Sequence, residues 1–303
     1  MFTVGKRFIS EPDYRFLLLD RHGLFDNWND VKYLRRKYKA LMGKELNIKK
    51  PITFNEKLQW LKLYDHNPKY TTMVDKYRVK KYIENKIGAE YVIPTLGVWD
   101  NFDDIDVDNL PNQFVLKCTH DSGGLVICKN KKNLDVASAR KKINKSLKTN
   151  FFLRGREWPY KDVPRKIIAE RFMDDGTGEE LRDYKVLCFD GEPKLIEIHE
   201  GRFSGHHTQD FYDVNCNLTK YEQPDDPLSG HKMEKPVLWD KMMDLSRELA
   251  EGIPHIRVDW YIIDERLYFG ELTFFDGSGF SAFIGDQDKE IGSWITLPRK
   301  ENC

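Results

Sequence analysis

A pair of strand-like runs near the C-terminal end of the chain restricts the fold more than any other feature. The runs Arg257–Ile263 and Arg266–Thr273 are separated only by a short polar turn. Strands joined so closely pair antiparallel, because a parallel pair needs a crossover of a dozen or more residues. This pairing brings Asp259 and Glu271 together, and two carboxylates on neighbouring strands suit Mg²⁺, which prefers oxygen ligands. Arg257 shares a face with Asp259 and is placed to hold a phosphoryl group. A solvated acidic pair is the alternative interpretation.

The rest of the chain predicts an α+β fold with mostly antiparallel sheets. Asp190 and Gly191 form a turn signal between two strand-like runs, and Thr53 with Glu56 forms a capping box that opens a helix. The other predicted strands are 91–94, 113–117, 125–128, 166–172, 183–189 and 194–199. The other predicted helices are 28–41, 70–86, which carries Lys76 on the same side as its apolar face, 135–148 and 235–251.

Several segments are suited to bind phosphates. Lys117 ends a strand and is followed by a loop that contains Ser122, Gly123 and Gly124, where backbone N–H groups can approach phosphate oxygens closely. A simple hairpin loop is the alternative. Lys185 shares a strand face with apolar neighbours, so its charge needs a partner, either a phosphate or a carboxylate.

A third segment follows an apolar strand and is suited to an adenine ring. Glu170 ends that strand, and the residues after it can offer backbone groups and apolar contacts to the ring; they are Arg171, Phe172 and Met173. A strand that ends in an ion pair is the alternative.

Composition excludes some classes of protein. The chain of 303 residues has 49 basic and 49 acidic residues, whereas a general nucleic-acid binder usually has a basic excess. No stretch approaches the roughly 18 apolar residues that a transmembrane helix needs. The five cysteines form no CxxC pair, so we interpret them as reduced thiols of a cytosolic protein.

Together these segments resemble the ATP-grasp superfamily, and most closely the TupA-like ATP-grasp proteins of bacterial surface-polysaccharide gene clusters. The resemblance extends roughly over residues 51–298 and rests on six stretches in the family's order. They are TFNEKLQWLKLYD (53–65), VDKYRVKKY (74–82), VLKCTHDSGG (115–124), AERF (169–172), DYKVLCFDG (183–191) and RVDWY with FGELTF (257–274).

The resemblance implies two α+β subdomains that clasp ATP, preceded by a helical region. We expect a helical region at 1–90, a lid subdomain with the glycine loop at 91–168, and a subdomain with the adenine and magnesium sites at 169–303. The resemblance also implies ATP and Mg²⁺ as cofactors and assigns roles to residues by their positions in the family's motifs. The nucleotide-binding residues would be Lys76, Lys117, Ser122, Gly123, Gly124, Glu170, Arg171, Phe172 and Met173, the metal ligands Asp259, Glu271 and Thr273, and the catalytic residues Arg257 and Lys185.

The chain departs from the family pattern at two positions. Many ATP-grasp ligases place Asn where this chain has Thr273, and a hydroxyl is a weaker ligand for Mg²⁺. Relatives often have Gly where this chain has Asp121, whose carboxylate either binds through the metal or faces away from the phosphates.

The implied reaction activates a carboxylate as an acyl phosphate, which an amine displaces to give an amide. By family analogy the acid is a uronic acid of a surface polysaccharide or its precursor, and Arg154, Arg202, His206 and His207 lie in substrate-facing segments. The alternatives are a sugar kinase and a glycosyltransferase or accessory protein of polysaccharide assembly. We expect a cytoplasmic protein. The N-terminal helices are either a structural cap or a contact with membrane-bound polysaccharide machinery at the inner membrane face.

Overall fold

The computed structural model describes residues 7–175, 181–201, 207–224 and 226–299. The α-helices that lie wholly within these ranges are α1 Pro12–Arg21, α2 Asp30–Met42, α3 Phe54–Tyr64, α4 Lys69–Val74, α5 Arg78–Lys86, α6 Val136–Leu147, α7 Phe152–Gly155, α8 Trp239–Ala250 and α9 Gln287–Gly292. The strands are β1 Thr95–Trp99, β2 Phe114–Cys118, β3 Leu125–Cys128, β4 Ile167–Arg171, β5 Asp183–Phe189, β6 Glu192–Glu200, β7 Thr208–Tyr212, β8 His255–Ile263 and β9 Arg266–Thr273. The strands form two antiparallel sheets, which confirms the predicted α+β class. None of the described helices is long and apolar enough to cross a membrane.

The smaller sheet has the strand order β1-β4-β2-β3 and its own apolar core. Alternation along β2 buries Phe114, Leu116 and Cys118 toward α6. Lys117, between them in sequence, therefore lies on the opposite face. The predicted boundary between residues 168 and 169 falls inside β4, which belongs to this sheet.

The larger sheet has the strand order β7-β6-β5-β8-β9, with β5 buried along its whole length. One face packs on α8, where Trp260 donates its indole N–H to the hydroxyl of Ser246 at 2.9 Å. The other face carries polar side chains. Lys185 of β5 lies in register between Asp259 of β8 and Glu197 of β6, so three charged side chains form a row across the sheet.

Local signals in the sequence are largely confirmed. The capping box of Thr53 and Glu56 opens α3, and Gly43 ends α2 with a φ of 67°. Asp190 and Gly191 both have positive φ, 50° and 85°, in the turn between β5 and β6.

Two predicted elements are wrong. The expected helix over 70–86 is two helices, because Asp75 accepts hydrogen bonds from the backbone N–H groups of Tyr77 and Arg78 and so begins a new helix after a break. Residues 91–94 do not form the expected strand, and β1 begins directly after them, at Thr95. Pro94 lies at that point and has no N–H to donate to a neighbouring strand.

Candidate active site

A bulge between β8 and β9 places the two predicted metal ligands together. The strands are in register at Arg257 and Thr273, and the register shifts after Val258, so that Asp259 faces the region of Gly270 and Glu271. A side chain at position 270 would crowd Asp259, because its Cβ would lie 3.1 Å from the Asp259 carbonyl oxygen. The hairpin inferred from sequence is confirmed, and both carboxylates belong to the same cluster.

Arg257 is the centre of this cluster. Its Nε donates to Asp259 Oδ1 at 2.7 Å and its Nη2 to Asp259 Oδ2 at 2.8 Å, while Nη1 donates to Asp276. Nη2 also approaches Glu271 Oε1 at 3.4 Å and Thr273 Oγ1 at 3.3 Å. Burial by itself lowers the pKa of a guanidinium, but Asp259 and Asp276 raise the pKa of Arg257 well above its ordinary value.

Lys185 supplies the second buried cation. Its Nζ lies 2.6 Å from Asp259 Oδ2 and 3.3 Å from Asp183 Oδ2. Burial and the charge of Arg257 act against the ammonium form, yet Asp259 and Asp183 raise its pKa. The partner that the sequence required for this lysine is therefore a pair of carboxylates in the structure.

Glu271 lies at the open edge of the cluster, with 40% of its side chain exposed. Its Oε2 is 3.8 Å from Lys76 Nζ, and its Oε1 accepts a hydrogen bond from Thr273 at 3.2 Å. Burial raises the pKa of a carboxyl, but Lys76, Arg257 and nearby cations lower that of Glu271 to about 2. Glu271 is thus ionised and accessible at neutral pH.

Glu170, on β4 of the smaller sheet, lies between two lysines. Lys117 lies 2.6 Å from its Oε2, and Lys80 of α5 lies 2.5 Å from its Oε1. Burial raises the pKa of Glu170, and the two lysines outweigh that effect and lower it. The side chains of Phe172 and Met173 follow the end of β4 and are half-buried, whereas Arg171 is exposed.

The glycine loop is anchored from behind. The carboxylate of Asp121 contacts the hydroxyl of Ser146 at the end of α6 and accepts the backbone N–H of Gly124 at 3.1 Å. Ser122 and Gly123 are exposed, and Lys76 Nζ donates to the carbonyl of Asp121 at 2.7 Å. The buried Asp121 carboxylate therefore faces away from the exposed tip of the loop. This orientation agrees with the second of the two alternatives from the sequence, in which the carboxylate faces away from the phosphates.

Magnesium fits the chemistry of the cluster. The five carboxylates of the cluster, four of them buried and Glu271 partly exposed, outnumber the two buried cations, Arg257 and Lys185, and every donor is a hard oxygen. These carboxylates belong to Asp183, Glu197, Asp259, Glu271 and Asp276. Over the part of the chain that the structure describes, no three His, Cys, Asp or Glu side chains are already arranged as metal ligands. Asp259 Oδ2 accepts from both Arg257 and Lys185, whereas Oδ1 accepts only from Arg257 among the described residues, so Oδ1 keeps a lone pair that could bind a metal.

Of the two segments predicted to face a substrate, the one at 202–207 is only partly described. Arg202 and His206 lie outside the described residues. His207 stacks on His199, with 2.7 Å between its Nε2 and His199 Nδ1, and His199 contacts Glu197. Arg154 points elsewhere: its Nη1 donates to the carbonyl of Arg21 in α1.

Three residues of the site were missed in the sequence. Lys80 is the last lysine of the DKxRxK motif, four residues after Lys76, and that spacing was the available signal. Asp276 follows a predicted strand in a Gly-rich segment without a charge pattern. Glu197 alternates with apolar residues on β6, and its Oε2 has no hydrogen-bond partner in the structure.

The sequence of this chain matches the profile of one protein family. The sequence profile described as TupA-like ATPgrasp matches residues 56–296. No curated protein matches the chain. Among solved structures, D-alanine–D-alanine ligase from Bacillus anthracis complexed with ATP is 14% identical with a TM-score of 0.42, over 67% of this chain and 55% of that chain.

Other solved structures are similarly distant. D-alanine–D-alanine ligase from Helicobacter pylori is 14% identical with a TM-score of 0.40, over 69% of this chain and 53% of that one. The biotin carboxylase domain of the Hydrogenobacter thermophilus 2-oxoglutarate carboxylase, in complex with MgADP, ADP and bicarbonate, is 13% identical with a TM-score of 0.38, over 75% of this chain and 47% of that one. The chain thus spans about half the length of the solved structures that it resembles.

Proposed function

We propose, from the premise that this chain belongs to the TupA-like ATP-grasp family, that it is an ATP-dependent ligase that joins a carboxylate to an amine through an acyl phosphate. One observation carries the proposal. Asp259, Glu271 and Arg257 form one cluster on the larger sheet, and Lys76 connects that cluster to the glycine loop. A metal-bound nucleotide needs this combination of oxygen ligands, cations and a loop.

The cations answer the main electrostatic problem of such a reaction. ATP and a carboxylate are both anions and repel each other, so positive charge must be fixed where their phosphate and carboxylate groups meet. Lys76 and Lys117 would face the nucleotide phosphates, and Arg257 and Lys185 the transferring phosphoryl group. Mg²⁺, when bound, would offset phosphate charge and orient the nucleotide.

The proposed chemistry takes place in two displacements. A carboxylate oxygen attacks the γ-phosphorus, the bond from that phosphorus to the bridging oxygen breaks, and ADP leaves. The amine then attacks the acyl carbon, the C–O bond to phosphate breaks, and a proton leaves the nitrogen as the amide forms. Closure of the loop that contains Ser122 and Gly123 would exclude water, which otherwise hydrolyses the acyl phosphate.

The finer parts of the proposal rest on the resemblance. A uronic acid of a surface polysaccharide or its precursor is the acid that we propose, with an amino acid or another amine as the nucleophile. We also propose a cytoplasmic protein whose contact with membrane-bound polysaccharide machinery is peripheral. A sugar kinase would use the same nucleotide site, and mass analysis separates the two, since a kinase retains the phosphate on the sugar whereas a ligase releases it.

The metal assignment is tested by Glu271→Gln. The half-exposed Glu271 lies at the open edge of the site, so the variant should fold and lose turnover. In calorimetry it should lose most of the Mg²⁺-dependent part of its affinity for ADP. Glu265→Gln is the matched control, because Glu265 is exposed in the turn of the same hairpin and makes no contact with the cluster. Full ATP-dependent activity in Glu271→Gln would overturn the assignment.

A further inference from the structure

Helix α3 buries a polar stripe where an apolar one is expected. Asn55, Gln59 and Lys62 are spaced i, i+4 and i+7, which places them on one face of the helix. Their exposed fractions are 0%, 0% and 2%. Buried polar groups are retained only with partners, because an unpaired group loses its hydrogen bonds to water without replacing them. The stripe therefore binds something specific.

Its partner is the turn Asp276–Gly279 and the residues that follow. Gly277, Ser278 and Gly279 have φ values of 50°, 54° and 63°, three consecutive left-handed residues. A left-handed serine is unfavourable, so its neighbours must hold it in place. Gln59 donates to the carbonyls of Gly279 at 2.7 Å and Ser278 at 3.2 Å, while Asn55 donates to the carbonyl of Ser281 at 2.8 Å.

Lys62 makes the densest set of contacts. Its ammonium lies 2.7 Å from the Ser278 carbonyl, 3.0 Å from the Ser278 hydroxyl and 2.8 Å from the carbonyl of Gly155. It also lies 4.7 Å from the ring centre of Phe280. Burial lowers its pKa to about 7, against the opposite effect of the carboxylate of Glu157. Such a cation is retained at a cost in desolvation, and what it fixes in place is the turn.

The turn connects the stripe to the cluster. Asp276 is the first residue of the turn, and its carboxylate holds Nη1 of Arg257. Asp276 is buried, so its position is set by the turn rather than by solvent. The chain of contacts runs from α3 through the turn to the guanidinium.

We infer that Gln59 and Lys62 are positioning residues: they fix the turn at 276–279 and, through Asp276, the guanidinium of Arg257, while Asn55 holds the segment after the turn at Ser281. Helix α3 then supports the cluster indirectly, through the turn, without contributing a catalytic residue. The inference rests on the proposed function only for the consequence on turnover. The placement of Arg257 is a separate structural claim.

The matched variants are Lys62→Met and Lys57→Met. Lys57 lies on the same helix but donates to the carbonyl of Ile295 at 2.7 Å, away from the turn. Gln59→Met is the second test variant, because it removes the two bonds to the turn without removing a charge and keeps the test usable if Lys62→Met does not fold.

The first measurement is the ¹⁵N resonance of the Arg257 side chain, assigned by its loss in Arg257→Lys. It should shift in Lys62→Met and Gln59→Met and stay in place in Lys57→Met. An unchanged Arg257 resonance in the folded test variants overturns the inference. So does an equal shift in Lys57→Met, since that would be a general effect of altering α3.

The second measurement separates positioning from general damage. The nucleotide groups Lys76, Lys117 and Glu170 lie on other elements, so the affinity for ADP with Mg²⁺ should stay within about threefold. Turnover should fall by about 100-fold, since a displacement near 1 Å of a group at the reaction centre has that effect. Equal losses of nucleotide affinity and turnover would show a structural role only. If the resonance shifts while the unaltered protein neither binds Mg·ADP nor uses ATP, the proposed function fails and the positioning stands.

Discussion

Replacing Lys80 by Met should destabilise the protein far more than replacing Lys76 by Met, although both lysines belong to one short motif. Lys80 is buried, with its ammonium 2.5 Å from Glu170 and 2.6 Å from the carbonyl of Ile93. Breaking a buried ion pair costs about 3–5 kcal/mol, because a charge is left without a partner. Lys117 still neutralises part of Glu170, so we expect a loss of about 3–4 kcal/mol.

Lys76 is in a different setting. Its contact with Glu271 is 3.8 Å long and half-exposed, and a pair of that kind contributes little. The hydrogen bond to the carbonyl of Asp121 at 2.7 Å contributes about 1 kcal/mol. Lys76→Met should therefore lose about 1 kcal/mol of unfolding free energy.

Urea unfolding followed by tryptophan fluorescence measures the difference. With a slope of about 3 kcal/mol per M, the midpoint should fall by about 1 M for Lys80→Met and about 0.3 M for Lys76→Met. Affinity for Mg·ATP should show the opposite order. Lys76→Met should lose more affinity than Lys80→Met, because Lys76 contacts the glycine loop. Equal midpoints for the two variants would refute the reasoning, since the buried setting of Lys80 would then have no energetic consequence.

The remaining predictions concern packing and pH. Gly124→Ala should lose about 1–3 kcal/mol, because its Cβ would meet Ser146 Oγ at 2.4 Å, whereas Gly123→Ala has its nearest contact at 3.8 Å and should be neutral in thermal unfolding. Similar losses at both glycines would contradict this. Burial lowers the pKa of His255 to about 3, so below about pH 6.5 the unfolded chain takes up a proton that the folded chain does not, and stability falls as pH falls. Between about pH 6 and 4 the unaltered protein should lose about 1.4 kcal/mol more per pH unit than His255→Phe, whose ring can pack on Phe54; parallel stability curves would exclude this role.

Sequence reasoning was most successful where one segment carries its own signal. The β8–β9 hairpin followed from alternation and a short turn, and the capping box of Thr53 and the turn at Asp190 followed from local chemistry. The placement of Asp259 beside Glu271 needed only that hairpin. The family resemblance supplied roles for these residues, and those roles stay predictions.

What the sequence did not show depends on partners far along the chain. Lys80, the second lysine that pairs with Glu170, lies on a helix that is separated from β4 in the sequence by β1, β2 and β3. No local pattern connects Lys80 with Glu170. The carboxylate of Asp276 is recognisable only once its turn lies against Arg257. The break before α5 was missed because the apolar period continues across Asp75, whose side chain caps the new helix and overrides that pattern.

The polar stripe of α3 also has a consequence for synthesis on the ribosome. The contact from Gln59 to Gly279 spans 220 residues, and that from Asn55 to Asp288 spans 233. At roughly 5–20 residues per second, the stripe emerges roughly 10–45 seconds before its partners exist. Until then α3 lacks the turn as a partner, so it cannot reach its final packing before residue 279 has been synthesised. Packing of α3 against this turn is therefore expected to be a late folding step, and truncation before residue 276 should leave α3 without its native partner.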